Sequence, residues 1–499
     1  MVPHAPCKFT ELPEDILLEI CYFLDMEDVF SLRQVNRRVY NFSSTRHLWY
    51  KFTFHLYDRV PLALPPFRPR ISFSAEELHS ICRHGLRLEN NWRSDYPTPY
   101  KKPRYLELSK KEDGVMMLRL LPGGRFFLVV TAKGELTCRD SRDGRIVGEC
   151  IHGGNKVHSI DVDVVEDGRC IILAVSVDQP RSKGSSNTSD VHMVHVLRID
   201  IIENPKTGPR VEFIHIMASP WDYPWWIVSL EGDIVAAYSC ILEDKPLRHF
   251  VVWIANWKTA TAAVIHLPQG VIPLETWPTL QVVGGQVIIH EERGGSPASI
   301  VFPVPDTLFS TNTVDHLPQV KITPTLILKG DRLDNAYQTR FSKIWRNACP
   351  QSAAKRPISL FSISAMPDSH SRRTIKVQTF DPFPTPDTTK SSVGTSRTPI
   401  PRSKNWSRSA IVPFGDDGLR FTFCLGRYGS FPIWIEEDGQ AQLHLMGLFT
   451  DQKNGGTCHV KELVPPEGVD LDRLHCLDFD DAEGILCAVT ERGVWIVEY

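Results

Sequence analysis

The apolar positions of this 499-residue chain follow two periods, and one gives way to the other near residue 103. Before that point the spacing is helical. In "PEDILLEICYFL", Ile16, Leu17, Ile20, Phe23 and Leu24 recur at i, i+1, i+4, i+7 and i+8. That spacing gathers them on one broad helix face, with Glu14, Asp15 and Glu19 elsewhere. No proline lies between Pro13 and Pro61, and the first glycine is Gly85, so the stretch lacks both strong helix breakers. Pro13 suits a first helical turn, and the early carboxylates suit its dipole. Asp25 or Asp28 is placed to cap a second helix carrying Val29, Leu32 and Val35. "RRVYNFSS" predicts a third helix and "STRHLWYKFTFHL" a fourth. "DRVPLALPPFRPR", with four prolines in 13 residues, predicts neither helix nor central strand. A further helix follows in "SAEELHSICRHGLRLENNWRS". Ser74 and Glu77 form its capping box, and Leu78, Ile81 and Cys82 share one face.

Beyond residue 103 the pattern is that of strands. "VMMLRLLPGGRFFLVVTAKGELTCRD" alternates strands with glycine turns, an antiparallel meander. Similar units recur at "SIDVDVVEDGRCIILAVSV", "GDIVAAYSC", "LQVVGGQVIIHEE", "PISLFSISA", "SAIVPFGDDGLRFTFCLG" and "LHCLDFDDAEGILCAVTERGVWIVEY". About seven such units at spacings of roughly 40–55 residues predict a propeller. The last unit has only three strands, while "RYLEL" near Tyr105 has no unit of its own. Pairing 105–108 with 494–498 would close the ring and remove an exposed edge. The chain is thus an α+β multidomain protein. Residues 8–56 form three to four helices, 57–102 a Pro-rich linker with its connecting helix, and 103–499 an all-β propeller-like domain.

Composition narrows the function more than it defines it. With 56 Lys+Arg against 59 Asp+Glu, the formal charge is -3, which argues against a broad basic surface for nucleic acid or anionic lipid. No run approaches the ~20 apolar residues that span a bilayer, and the N-terminus lacks the pattern of a secretory signal. The most apolar runs, "FFLVVTA" and "CIILAVSV", have strand length. The 12 cysteines are scattered without any C-x-x-C, as expected of reduced thiols in a cytoplasmic or nuclear protein. Proline stands out at 37 of 499, or 7.4%, against a norm of about 5%. All but Pro3, Pro6 and Pro13 lie at residue 61 or beyond, which sharpens the division between helical head and β body.

The helical segment carries more large apolar residues than a core of ~45 residues covers, so some should stand exposed as an interface. At these residues a family resemblance appears. "ELPEDILLEICYFLDMEDVFSLRQVNRRVYNFSSTRHLWYKF" resembles an F-box through Leu12-Pro13, Ile16/Leu17/Ile20, Leu24, Asp28-Val29, Leu32, Val35, Arg37 and Leu48-Trp49. Asn36 departs from the usual Cys or Ser, and Tyr40 from the commoner Trp or Phe. The β region resembles the propeller-like part of large fungal F-box proteins. Gly-His is absent from it, Asn256-Trp257 stands where Asp-Trp is expected, and Trp221-Asp222 falls in a Pro-rich stretch. The resemblance implies docking on the Skp adaptor, and through it on a cullin scaffold, with the propeller holding a protein substrate that the sequence does not name. It implies that Leu12, Pro13, Ile16, Leu17, Ile20 and Leu24 face the adaptor. Val29, Leu32 and Val35 would be divided between interface and internal core.

No motif supplies catalysis, and no cofactor is called for. His192 and His195 form an H-x-x-H, but in a strand i and i+3 point to opposite faces, so no metal ligand is assigned. Gly123-Gly124 and Gly284-Gly285 read as hairpin turns, and "DFDDAEG" as a solvated blade turn rather than a calcium loop. Trp221, Tyr223, Trp225 and Trp226 fit either interblade packing or a substrate hot spot, with Trp221 and Tyr223 the substrate-contact candidates. The Ser/Thr/Pro-rich 384–404 stretch reads as an inserted loop. The leading expectation is a non-catalytic substrate receptor of a ubiquitin ligase. An F-box adaptor acting outside ubiquitination and a propeller hydrolase with an appended F-box are the alternatives.

Overall fold

The computed structural model describes residues 9–499 apart from 10–11, 58–61, 65–67, 69, 108–113, 152–155, 166–169, 180–190, 205, 220–223, 242–248, 268–278, 284, 294–295, 306–307, 311–318, 321–325, 330–361, 368–372, 379–412, 415–419, 424–429, 438–439, 450–456, 465–467, 470–473 and 491–492. The breaker-free stretch forms four helices: α1 Glu14–Phe23, α2 Met26–Leu32, α3 Arg37–Ser43 and α4 Arg46–Tyr57. Asp25 occupies the N-cap position of α2 without a side-chain bond to the helix. Asn36 caps α3, its side chain accepting from the Val39 N–H at 2.9 Å. The residue that departs from the F-box pattern therefore keeps a capping oxygen. The fifth helix, α5 Ala75–Arg93, opens on the complete Ser74/Glu77 capping box. Arg68 pairs with Glu77, and that hydrogen bond, followed by the Ser74 backbone N–H, lowers the Glu77 carboxyl to about 2.

The β region contains seven sheets among the described residues, and their strands pair antiparallel except for Gln319–Val320, which runs parallel to Thr261–His266. The first blade is β2 Val115–Leu120, β3 Phe126–Thr131, β4 Leu136–Asp140 and β5 Ile146–Ile151. The second is β6 Lys156–Val165, β7 Cys170–Gln179, β8 Val191–Ile202 and β9 Arg210–Ala218. The third blade starts with β10 Trp225–Glu231, β11 Ile234–Ile241, β12 His249–Asn256 and β13 Thr261–His266, with β17 Phe309–Ser310 and β18 Gln319–Val320 paired on β13. The fourth is β14 Thr279–Val283, β15 Gln286–Arg293, β16 Ser296–Pro303 and β19 Leu326–Lys329. The fifth is β20 Ser362–Pro367, β21 Arg373–Gln378 and β22 Pro413–Phe414, and the sixth is β23 Arg420–Phe423, β24 Ser430–Glu437, β25 Gln440–Phe449 and β26 Thr457–Glu462. The seventh is β27 Leu474–Asp480, β28 Ile485–Thr490 and β29 Gly493–Glu498, completed by β1 Arg104–Glu107. That last pairing runs Arg104↔Ile496 to Glu107↔Gly493, which is the closure expected from the unpaired strand.

The two longest apolar runs are continuous because both of their faces are covered. In β3, Phe126, Leu128 and Val130 pack toward the second blade, while Phe127 and Val129 pack toward the seventh. In β7, Ile171, Leu173, Val175 and Val177 face the first blade, and Ile172 and Ala174 face the third. Period-2 alternation thus places successive side chains in two different interblade cores. Fully burying one such side chain contributes roughly 1.5–3 kcal/mol, so the sandwiched strands supply much of the stability.

Polar side chains on the inner strands then register each blade against the next. Asp161 Oδ2 accepts from Leu230 N at 2.7 Å and Asp163 Oδ2 from Gly232 N at 2.6 Å, joining the second blade to the third. Ser229 Oγ accepts from Val282 N at 3.0 Å, joining the third to the fourth. Asp478 Oδ2 accepts from Leu120 N at 2.5 Å and joins the seventh blade to the first. Asp478, Asp480 and Asp481 are buried, which corrects the expectation of a solvated turn at "DFDDAEG". Asp480 Oδ1 accepts from Ala482 N and Glu483 N, and Asp478 Oδ1 accepts from the Arg119 guanidinium. The Gly123–Gly124 turn is as expected, with both residues at positive φ. Asn256 Oδ1 accepts from Lys258 N and Thr259 N, and Trp257 Nε1 donates to Gly232 O at 2.8 Å, so this pair ends β12 by holding the turn into β13.

Replacing Asp478 removes an acceptor from a buried N–H at the ring seam. Asp478→Ala should lower unfolding free energy by about 2 kcal/mol, and Asp478→Asn, which retains one oxygen, by less. Chemical denaturation of the full chain measures both, and equal losses would contradict the seam role.

Candidate functional site

The five apolar residues of the α1 face divide into two sets that the sequence pattern does not separate. Leu17 and Cys21 turn inward, joining Met26, Val29, Phe42, Leu48, Trp49 and Phe52 in one core. Ile16, at 44% exposure, and Phe23, at 87%, face solvent with half-buried Ile20 between them. Their spacing of i, i+4 and i+7 makes them one strip along α1. Of the adaptor-facing candidates, Pro13 is exposed at the helix start, and Val35, expected on the second helix, is exposed in the turn that follows α2 at Leu32. Leu12, Leu24 and Leu32 are half-buried against the rim of the core. Leu17 and Val29 lie inside it. Phe23, absent from the site expected from sequence, is the most exposed apolar residue of α1.

The remainder of the module holds that strip in place. Trp49 Nε1 donates to Ser43 O at 2.7 Å, and the Arg33 guanidinium lies 4.9 Å from the Tyr40 ring and 5.2 Å from Trp49. Arg46 donates to Phe73 O at 2.8 Å and Ile71 O at 2.6 Å, tying α4 to the entry of α5. Leu78, Ile81, Cys82 and Leu86 of α5 complete the helical core, which the first four helices would leave open on one side. Cys82 Sγ lies 3.3 Å from Thr53 Oγ1, and burial pushes its thiol up to about 12.

The second half of α5 belongs to another core. Leu88 and Trp92 pack with Leu477, Phe479, Leu486, Val497 and Tyr499 of the closing blade, and with Leu443 and Leu463 of the blade before it. The Trp92 ring lies 5.5 Å from Tyr499 and 6.1 Å from Phe479. The segment after α5 continues the attachment: Tyr100 N donates to Glu498 O at 2.6 Å, and Lys101 and Arg104 both pair with the Glu498 carboxylate. A single 19-residue helix, about 28 Å long, therefore contributes one end to the helical module and the other to the propeller.

Where α5 meets the turn between β27 and β28, the chain leaves almost no room. Gly484 has φ +68°, and a Cβ there would stand 2.4 Å from Leu88 Cδ2 and 3.1 Å from Tyr499 O. Beside it, burial, reinforced by the charges of Asp480 and Glu498, pushes the Glu483 carboxyl up to about 8. Burial, then the Arg87 charge, lowers the facing imidazole of His84, whose Nε2 lies 3.9 Å from Glu483 Oε2.

Trp221 and Tyr223, the substrate-contact candidates, lie outside the described residues, as does the 384–404 stretch. Of their neighbours, Trp225 is fully buried between the second and third blades, near Trp253. Trp226 is half-buried and faces His158 and His192. The pleat of β8 separates His192 from His195, and His195 instead meets His215. The sequence assigned no metal ligand, yet His158, Asp178 and His192 come together across three strands.

Residues 9–55 match the F-box-like family model, so the helical module is an F-box-like domain, set before a propeller. No curated protein matches the chain. Among solved structures it is similar to the C-terminal WD40 domain of Sif2, at 10% identity and TM-score 0.36 over 77% of this chain and 81% of that one. It is also similar to the Myceliophteria thermophila Cps50 (Swd1) beta-propeller domain, at 10% identity and TM-score 0.41 over 80% of this chain and 99% of that one.

Two outcomes follow from the joint. Gly484→Ala should destabilise the chain by about 2 kcal/mol through strained backbone and displacement of Leu88. Leu88→Ala should cost less in the Gly484→Ala background than in the wild type, and additive losses in a double-mutant cycle would exclude that contact. For Glu483 the folded carboxyl binds its proton more tightly than the unfolded one, from 4.5 up to about 8. Its contribution is therefore whole below about pH 4.5 and lost as pH rises toward 8. Glu483→Gln should flatten the decline in melting temperature across that window and raise stability above it. Parallel curves for variant and wild type would reject the assignment.

Proposed function

We propose that the chain is the substrate-receptor subunit of a Skp–cullin–F-box ubiquitin ligase, its helical module docking on the Skp adaptor and its propeller holding a protein substrate. The observation that carries this reading is the Ile16/Ile20/Phe23 strip. The module packs a full core and still presents a row of large apolar side chains on its first helix. An apolar strip of that kind is stable in water when a partner covers it. In an F-box-like domain the partner of matching chemistry is the adaptor, with cullin engaged through it.

The role requires no reacting group of its own. A receptor accelerates ubiquitin transfer by holding substrate lysines near a charged conjugating enzyme, which raises their effective concentration. The double attachment of α5 suits this task, because a rigid connection sets the distance between the two binding ends. Buried thiols such as Cys82 and Cys138 fit a reducing compartment, so the reading carries a cytoplasmic or nuclear location with it.

Co-expression with a Skp adaptor and affinity capture tests the proposal. Ile16→Asp combined with Phe23→Asp should lower capture roughly tenfold or more, with circular dichroism and melting unchanged because both side chains are exposed. Leu12→Ala with Pro13→Ala should weaken capture in the same way. Full capture by the folded Asp variant would remove the basis for the reading.

A further inference from the structure

His158, Asp178 and His192 stand at the end of the second blade where β6 and β8 begin and β7 finishes. Asp178 faces His192 directly in the β7–β8 register. A bulge between Val157 and Ser159 brings His158 to the same side of the sheet. This is the side toward the third blade, to which Ile172, Ala174, Val194 and Val196 of the same strands also point. One ligand atom from each of the three residues lies within 4.8 Å of the other two. His158 Nε2 is 2.6 Å from Asp178 Oδ1, and His192 Nδ1 closes on that same oxygen. His192 Nδ1 is inaccessible to solvent and is without a hydrogen bond. From the third blade Trp226 covers both rings, with centroids 4.6 Å from His158 and 5.0 Å from His192.

We propose that these three side chains form a binding site for a divalent transition-metal ion of the zinc class. Two imidazoles and one carboxylate are a donor set that suits Zn²⁺. Bonds of about 2.0–2.1 Å in a tetrahedral sphere place ligand atoms a little over ~3 Å apart. The three ligand atoms already lie within 4.8 Å of one another, close to that separation. The ligands come from three adjacent hydrogen-bonded strands, so the backbone holds them before any ion arrives. Two imidazole nitrogens converging on one carboxylate oxygen is a crowded arrangement for hydrogen bonding alone. With an ion between them, each nitrogen and the oxygen gain a separate direction. Trp226 shields one side, while the side chains of Asp178 and His192 remain 14% and 22% exposed. That leaves three protein ligands and one position open to water or to an incoming ligand, the pattern of an exchangeable site rather than a closed structural one.

The test uses the full-length chain, stripped with chelator, equilibrated with Zn²⁺ and freed of unbound ion by desalting. Wild type should retain about one equivalent, and its melting temperature should rise with added Zn²⁺, as a ligand of the folded state requires. Co²⁺ in place of Zn²⁺ should give a visible absorption band of four-coordinate type. His192→Ala and Asp178→Asn should each weaken Zn²⁺ binding roughly tenfold or more, and should abolish the Zn²⁺-dependent rise in melting. His195→Ala, on the opposite face of β8, should keep both. Because the wild-type measurement stands alone, variants that fail to fold do not decide the matter. Wild type without stoichiometric Zn²⁺, or undiminished binding by folded His192→Ala, would overturn the site.

Discussion

The pairing of β1 with β29 is the constraint on which the rest of the molecule depends. A ring of seven sheets with a three-stranded last member would leave a row of unpaired backbone groups on the outer edge of that blade. The missing strand comes from the segment directly after α5, so closing the ring also fixes the helix in space. The same four residues complete a blade, bring Leu106 into the core between the seventh and first blades, and anchor Arg104 on Glu498. Contacts that span almost 400 residues of sequence therefore hold both the circularity of the propeller and the placement of the F-box-like domain.

This arrangement turns α5 from a connector into a structural member. Its first half is an integral part of the helical core, and its second half is an integral part of the closing blade. A hinge between the two domains would need an exposed stretch with few contacts, and between Leu78 and Trp92 the helix has buried residues in every turn. Any motion of the F-box-like domain relative to the propeller must break one of these two cores. In the proposed receptor role this geometry would convert binding at one end into defined position at the other. The buried Glu483 and His84 belong to the same economy of space: with the imidazole lowered and the carboxyl raised, the joint favours neutral forms, which apolar packing around Leu88 and Trp92 tolerates.

Much of this was legible in sequence because the signals were local. The shift from helical to strand period, the glycine turns and the runs "FFLVVTA" and "CIILAVSV" each follow from the covering of neighbouring residues. The closing strand was legible by counting, since one blade lacked a strand and one strand lacked a blade. What stayed hidden required knowledge of what lies opposite. Ile16 and Leu17 are adjacent on a broad apolar face, and only the position of Trp49 and Phe42 shows which of them is core. Asp478 resembles any carboxylate in a polar turn until Leu120 N arrives from the far end of the chain. His158, Asp178 and His192 are separated by 20 and 14 residues, and their meeting depends on two strand registers and a bulge.

The inner strands also explain where function can reside on such a ring. Ser159, Asp161 and Asp163 alternate along β6 and aim at backbone N–H groups of the next inner strand, Val228, Leu230 and Gly232. Each acceptor used in this way is withdrawn from ligand chemistry, because removing it would strand a buried donor. The ladder runs out at Ser159. His158, the next residue toward the strand end, is the first polar side chain on that strand free of the task of joining blades, and it turns instead to Asp178 and His192. Structural polar groups thus occupy the strand interior, and residues able to meet something other than the protein itself begin where the interblade bonds stop.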